Sequence, residues 1–121
     1  MSEKKDKKNF EIPRPEFPKR AVITAGMPYG NKELHFGHVG GMMVFADTYA
    51  RFLRDRIGKE NVIFVTGTDC YGSPIAEGWR VKAEKGEFNG TLEEFVQANH
   101  DKQEETLEKY GISPNLFAAS G

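Results

Sequence analysis

Two short apolar runs on either side of one amphipathic stretch constrain the fold of this chain more than any other feature. Arg20–Ala25 and Asn61–Gly67 are rich in β-branched residues, as buried strands are. Between them, His38–Ile57 has apolar residues at the three- and four-residue spacing of a helix, and Gly58 follows its end. A strand, a helix and a second strand predict a βαβ unit with parallel strands and a right-handed crossover.

Two further helices are predicted downstream. One begins at Pro74, a residue favoured in the first turn, and runs toward Gly86. The other begins after Thr91, whose spacing from Glu94 is that of a capping box, and ends at Gly111. Residues 112–121 show no strand–helix pair, so the sequence predicts two strands only. The expected fold class is α/β, the first half of a Rossmann-like, doubly wound parallel sheet with flanking helices.

Composition narrows the classes of protein to consider. The chain has 121 residues, enough for one domain core. Its 38% apolar and 29% charged residues are typical of a soluble globular protein, and its apolar runs are far shorter than the ~20 residues of a membrane span. Cys70 is the only cysteine, which excludes an internal disulfide and a Cys-x-x-Cys knuckle. We therefore expect no metal site, and no zinc, in this chain.

The first residues differ in character from the rest. Residues 1–19 include three prolines and few apolar anchors, which predicts a disordered N-terminal extension. They lack the apolar segment of a secretory signal, so we expect a cytoplasmic protein. Residues 20–121 would form one partial domain. The net charge of −1, with no cluster of basic residues in the body, gives no surface for binding nucleic acid.

Polar segments follow both predicted strands, at Gly26–His38 and Gly67–Pro74. In an open parallel sheet, ligands bind outside the carboxyl ends of the strands. His35 and His38 are three residues apart at the start of a helix, where free backbone N–H groups favour anions. The alternative is that both histidines only cap the helix. We predict a phosphate site, helped by glycines that let a phosphate or a flat ring approach the backbone, namely Gly37, Gly40 and Gly41.

The second polar segment places a carboxylate at the end of a strand. Asp69 could hold a cationic amine in a partly dry cleft, and the alternative is an Asx-type turn. Met27 and Tyr29 in the first loop could form the apolar wall of a small pocket, and the alternative is core packing.

Other polar residues are assigned to the surface. The acidic stripe Glu87–Glu108 is interpreted as a solvated helix face, and His100 within it as a residue without partners. The arginines near the end of the first helix, among them Arg51 and Arg54, are interpreted as a solvated helix end.

These motifs resemble those of the class I aminoacyl-tRNA synthetases and, within that class, the start of the methionyl-tRNA synthetase family, over residues 22–113. Residues 28–38 (PYGNKELHFGH) resemble the extended "HIGH" signature, and residues 66–75 (TGTDCYGSPI) resemble the second block. Two positions depart from the family pattern: Phe36 replaces Ile or Leu, and Tyr71 replaces His.

The resemblance implies a role for each matching residue. His35 and His38 would act in catalysis by binding the ATP phosphates, Gly37 would lie under the adenine, and Asp69 would bind the methionine ammonium group. The remaining implied positions are Asn31 and Gly40 at the ATP site and Met27 and Tyr29 in the methionine pocket. Methionine, ATP and tRNA(Met) would be the substrates, with Mg²⁺ as the metal accompanying ATP.

The implied reaction is activation of methionine to methionyl-adenylate, followed by transfer to tRNA(Met). The sequence contains no Lys-Met-Ser-Lys-Ser-like loop and no helical anticodon-binding region. We therefore expect weak ligand binding without efficient turnover, and self-association or pairing with the missing half of the fold. Two alternatives stay open: a small nucleotidyltransferase with a His-x-Gly-His motif, and a non-catalytic interaction module derived from a synthetase.

Overall fold

A three-stranded parallel sheet forms the centre of the chain. The computed structural model describes residue 13 and residues 16–121, and most of the predicted extension lies outside these residues. The strands are β1 (Ala21–Thr24), β2 (Val62–Thr68) and β3 (Leu116–Ala119), in the order β1-β2-β3. The predicted α/β class and the parallel βαβ unit are confirmed.

The third strand corrects the prediction of two strands. β3 is four residues long, and its sequence Leu-Phe-Ala-Ala lacks β-branched residues. It forms because it pairs in parallel with the second half of β2, Val65 opposite Leu116 and Thr68 opposite Ala119. Pairing with a distant strand, and not local sequence, makes this segment extended.

The helices occupy the predicted regions. They are α1 (Phe36–His38), α2 (Val44–Ile57), α3 (Ser73–Glu84) and α4 (Leu92–Lys109), with a π-helical turn at Val39–Met43 and a 3₁₀ turn at Lys59–Asn61. The helix predicted from His38 to Ile57 is therefore interrupted by the π turn. The capping box of α4 is confirmed, since the Glu94 N–H donates to Thr91 Oγ1 (3.2 Å) and the Thr91 N–H donates to Glu94 Oε2 (3.3 Å).

The main core lies between the sheet and helices α2 and α4. Phe64 of β2 is buried there with Met43, Ala50 and Leu107. A second cluster, formed by Ile75, Phe95 and Val96, joins α3 to α4. Among the described residues, no helix combines the length and the apolar character needed to cross a bilayer.

The opposite face of the sheet is exposed. Val22 and Ile63 are paired in register and therefore point to the same side, and Leu116 joins them through its partner Val65. These three apolar side chains are 68%, 51% and 53% exposed, respectively. Parallel sheets are normally covered on both faces, so the described residues form one half of a doubly wound layer structure.

A network of charged residues joins α2 to the segment before β3. Asp47 accepts hydrogen bonds from the Ser113 N–H (2.8 Å) and from Arg51 Nε (2.7 Å). Arg54 donates to the Ser113 carbonyl (2.9 Å) and to Asn115 Oδ1 (3.0 Å). For Arg54 the interpretation as a solvated helix end was wrong, because its partners lie some 60 residues further along the chain. Arg51 is 57% exposed, but it too donates to a distant partner, the Gly111 carbonyl (2.6 Å).

Candidate functional site

The two predicted polar segments meet at the carboxyl ends of β1 and β2. Tyr29 and Asp69 form a parallel bridge outside the strands. The Gly30 N–H donates to the Asp69 carbonyl and the Asp69 N–H donates to the Pro28 carbonyl, both at 2.8 Å. Two strand-like hydrogen bonds thus fix the backbone of the first loop against the backbone that carries the carboxylate.

The two histidines stack at the start of α1. Their ring centroids are 3.8 Å apart, with 26° between the ring planes. The Gly37 N–H donates to Nδ1 of His35 (2.9 Å), and the His35 N–H donates to Nδ1 of His38 (3.3 Å). The two side chains therefore cap the helix start together, as the capping alternative predicted.

Capping fixes the protonation state of both rings. A nitrogen that accepts a backbone N–H carries no proton, so each neutral ring carries its proton on Nε2. Burial lowers the pKa of His38, and Coulombic repulsion from His35 and Lys32, which opposes a second proton at this helix start, lowers it further. Each imidazole thus keeps one N–H that has no acceptor among the described residues, and capping through Nδ1 does not exclude anion binding at Nε2.

The glycines at the start of the helix have two different roles. A side chain on Gly37 would place its Cβ 2.7 Å from Cε1 of His35, so this glycine makes room for the first imidazole. At Gly40 and Gly41 a Cβ would meet nothing within 4 Å. These two glycines form an open backbone surface on the π-helical turn, next to the histidines.

Met27 and Tyr29 are partly exposed at the end of β1, at 40% and 49% respectively. The Met27 methyl lies against Gly67 of β2, where a Cβ would be only 2.9 Å from it. Core packing is therefore only part of the environment of Met27, because a large share of its surface remains accessible.

The carboxylate of Asp69 forms an Asx-type turn. Its Oδ1 atom accepts from the Tyr71 N–H (3.2 Å) and from Ser120 Oγ (3.4 Å). Both bonds use the same oxygen, and the described residues donate no hydrogen bond to Oδ2. The turn alternative is thus observed, and it leaves one carboxylate oxygen for a cationic ligand.

Asn31 links the first loop to α3. Its Nδ2 donates to the Pro74 carbonyl at 3.5 Å, and its Cβ packs against Gly78. Its Oδ1 is buried without a hydrogen-bond partner among the described residues. This acceptor is available for a donor from water or from a ligand.

Helix α4 contributes residues that sequence reasoning missed. Asn99 Nδ2 donates to the Gly30 carbonyl (3.0 Å), and Gln103 Nε2 donates to the carbonyls of Tyr29 and Lys32 (3.0 Å each). His100 is 8% exposed, and its Nδ1 lies 2.8 Å from Thr68 Oγ1, so the interpretation of this residue as partnerless was wrong. Their spacing in the sequence could have revealed them, because these polar residues continue the apolar stripe of α4 at three- and four-residue intervals.

The predicted site residues form two groups. Met27, Tyr29 and Asp69 come together at the strand ends, and His35, Gly37 and His38 come together at the helix start. Within the described part of the chain, no hydrogen bond joins one group to the other. They are connected by the loop that α4 holds in place. No group of three metal-ligating side chains occurs among the described residues.

Fold and site together define a class of protein: a Rossmann-like α/β half-domain with two polar segments at the carboxyl ends of parallel strands. Comparison with protein families identifies the family within this class. The family model described as "tRNA synthetases class I (M)" matches residues 21–120. The chain belongs to this family, whose members are enzymes.

Individual relatives agree with the family assignment. The chain is 38% identical over 101 residues to a methionine–tRNA ligase of Cytophaga hutchinsonii, covering 84% of this chain and 14% of the relative. It is 40% identical over 99 residues to the enzyme of that name from Chlamydia muridarum, covering 82% of this chain and 16% of the relative. The chain therefore spans about one-seventh of the length of such relatives.

A solved structure has the same fold. The methionyl-tRNA synthetase of Mycobacterium tuberculosis, bound by methionyl-adenylate, matches with a TM-score of 0.70 and 29% sequence identity. The match covers 83% of this chain and 18% of that one. The Rossmann-like fold and the resemblance to methionyl-tRNA synthetases are thereby confirmed.

Proposed function

We propose that this chain forms the part of a methionine–tRNA ligase that binds methionine and ATP and activates the amino acid as methionyl-adenylate. One observation carries the proposal: the loop with the stacked histidines is fixed to the Asp69 backbone by two 2.8 Å hydrogen bonds. A solved protein of similar fold is bound by methionyl-adenylate, a molecule with an ammonium group at one end and a nucleotide at the other. The two groups of residues offer complementary chemistry to these ends.

The histidines would act on the phosphates. In the proposed reaction, a carboxylate oxygen of methionine forms a bond to the α-phosphorus of ATP, and the bond to pyrophosphate breaks. Two anions must approach each other, so donors that stabilise the developing charge lower the barrier. His35 and His38 supply one Nε2–H each, and no protein nucleophile is required.

The methionine end would be held by Asp69. The free Oδ2 atom would accept a hydrogen bond from the ammonium group, while the Oδ1 atom keeps the carboxylate oriented through Tyr71. Met27 and Tyr29, both partly exposed beside it, would contact the apolar side chain of the substrate.

The nucleotide would lie along the open backbone surface. Gly37 and Gly40 would allow the adenine to approach the helix start, and the buried Oδ1 of Asn31 would accept a donor from the ligand. Mg²⁺ would accompany ATP, because the oxygens of the phosphates are ligands that this ion prefers. Among the described residues, no three metal-ligating side chains lie together.

The comparisons favour a synthetase over a small nucleotidyltransferase, since the family match extends over both motif blocks. We propose the transfer of methionine to tRNA(Met) only for a longer protein that contains a region of this kind. For these 121 residues alone we propose ligand binding with slow turnover, and pairing with further polypeptide through the exposed face of the sheet.

Calorimetric titration tests the proposal. The probe is a non-hydrolysable sulfamoyl analogue of methionyl-adenylate, with the isoleucyl analogue as the specificity control. We expect the methionyl analogue to bind more tightly, and methionine-dependent pyrophosphate exchange to be far slower than with a full-length relative. Equal binding of both analogues, or of neither, would refute the methionine site.

A further inference from the structure

A chain of buried hydrogen bonds links helix α4 to the end of β2 and to the first loop. His100 Nδ1 lies 2.8 Å from Thr68 Oγ1, and Thr68 Oγ1 lies 2.9 Å from Gln103 Oε1. Thr68 is fully buried and Gln103 is 1% exposed. Groups this deeply buried gain much from complete hydrogen bonding and are costly when left unpaired.

The contacts of Gln103 determine which atom donates and which accepts in each of these hydrogen bonds. One terminal atom of the Gln103 amide contacts the carbonyls of both Tyr29 and Lys32, at 3.0 Å each. Carbonyls only accept, so this atom is the NH₂ group and the other is the oxygen. The single proton of the Thr68 hydroxyl must therefore be donated to Gln103 Oε1, because an amide oxygen cannot donate.

The same logic fixes the tautomer of His100. Since the Thr68 hydroxyl uses its proton on Gln103, it can only accept from His100, so Nδ1 of this ring carries a proton. The ring is held in this orientation by stacking on Phe117 of β3, with centroids 4.8 Å apart and 12° between the planes. The hydrogen bonds thus allow one arrangement of protons: His100 Nδ1–H donates to Thr68, and the Thr68 hydroxyl donates to Gln103.

We propose that His100, Thr68 and Gln103 are positioning residues that set the loop of the methionine site against Asp69. Gln103 holds the loop at two carbonyls, and Thr68 directly precedes the aspartate. The part of this inference that concerns the ligand rests on the function proposed above. None of the three side chains needs to touch the substrate, because each acts through the backbone of Tyr29–Lys32.

The decisive variant is Thr68→Val, which removes the hydroxyl while keeping the branched shape, with Thr68→Ser as the rescue. The matched control is Gln97→Leu, because the side chain of this exposed glutamine of α4 bonds, among the described residues, only to Asp101 on the same helix. Three quantities are measured in the full chain: the His100 tautomer by ¹⁵N NMR, the hydrogen-exchange protection of the Gly30 N–H, and affinity for the methionyl-adenylate analogue.

We expect the wild-type His100 to carry its proton on Nδ1. In Thr68→Val this preference should disappear, Gly30 protection should fall at least about tenfold relative to Ala50 in α2, and analogue affinity should fall by a similar factor. Thr68→Ser should restore all three, and Gln97→Leu should change none. An Nε2-protonated His100 in the wild type, or unchanged Gly30 protection in Thr68→Val, would overturn the proposal.

The design separates the two hypotheses. Should the wild-type chain fail to bind the analogue, the proposed function is refuted, while the tautomer and the Gly30 protection still decide the positioning role. Should Thr68→Val fail to fold, Gln103→Met removes the two donors to the loop and keeps a similar volume. Gly30 protection must then fall in Gln103→Met, and unchanged protection would refute the role of Gln103.

Discussion

His35 and His38 stack at a centroid separation of 3.8 Å while each accepts a backbone N–H through Nδ1. A protonated imidazole has no free acceptor nitrogen, so this arrangement requires both rings to be neutral. The helix start therefore combines structural capping with two N–H donors of fixed direction. The stability of this helix start therefore depends on pH, through the pKa of His38.

The first prediction concerns the titration of His38. Burial, and Coulombic repulsion from His35 and Lys32, lower its pKa below the ordinary value of 6.5. The unfolded chain thus binds a proton at a higher pH than the folded chain does, and the contribution of this group to stability is complete above 6.5. That contribution decreases as the pH falls through the folded-state pKa. NMR titration should give a His38 midpoint below that of a histidine peptide; a midpoint at or above it would contradict the capping geometry.

The second prediction contrasts two glycines in the same segment. Gly37→Ala should leave the fold intact but displace the His35 ring, because the new Cβ would lie 2.7 Å from Cε1. We expect ATP affinity to fall by about tenfold, from loss of one charge-assisted donor. Gly40→Ala has open space and should raise thermal stability, since alanine is favoured over glycine in a helix by roughly 1 kcal/mol. Calorimetry and thermal melting measure both effects, and equal stabilisation by the two variants would refute the contrast.

The third prediction addresses the carboxylate. In Asp69→Asn the amide oxygen can still accept from Tyr71 and Ser120, so the fold should persist, while the negative charge is lost. Affinity for the methionyl-adenylate analogue should fall by roughly 10–100-fold, the value of a hydrogen bond to a charged group. Ser120→Ala is the control: it removes the 3.4 Å contact to Oδ1 and the acceptor of the Cys70 N–H (2.9 Å) but keeps the negative charge of Asp69, so affinity should change less than in Asp69→Asn. An unchanged affinity in Asp69→Asn would show that this carboxylate only forms the turn.

The fourth prediction concerns the network on α2. Asp47→Asn weakens bonds from Ser113 and Arg51 at a carboxylate whose side chain is 10% exposed, and should destabilise the fold by about 2–4 kcal/mol. Asp55→Asn on the same helix, where the side chain is 79% exposed, should cost under about 0.5 kcal/mol. Urea denaturation gives both values. Similar destabilisation by the two variants would show that the network contributes little.

Asp47 should also make the stability of the fold sensitive to acid. Burial alone would raise the pKa of Asp47, but hydrogen bonds from Ser113 and Arg51 outweigh it and lower the pKa. This carboxylate therefore stabilises the fold above its ordinary pKa of 3.8, and the contribution is lost as the pH falls through the lowered value. Between those two values, the stability of the wild type should depend more steeply on pH than that of Asp47→Asn.

Local patterns were sufficient wherever neighbouring residues decide the conformation. Apolar spacing located β1, β2 and the helices, and the Thr91–Glu94 pair located the start of α4. The position of the two polar segments at adjacent strand ends also followed, because parallel strands present their carboxyl ends on one edge. The roles of the individual site residues toward ligands remain predictions.

The sequence by itself determined the α/β class, the family and the residues that lie at the strand ends, because each depends on periodicity or on a short motif. Only the tertiary structure decided that Leu116–Ala119 is a strand, that His100 joins a buried chain with Thr68, and that Arg54 holds the segment before β3. Their partners lie some 30 to 60 residues away in the sequence. Such partners are brought together by the burial of apolar surface between the sheet and its helices, which no local pattern records.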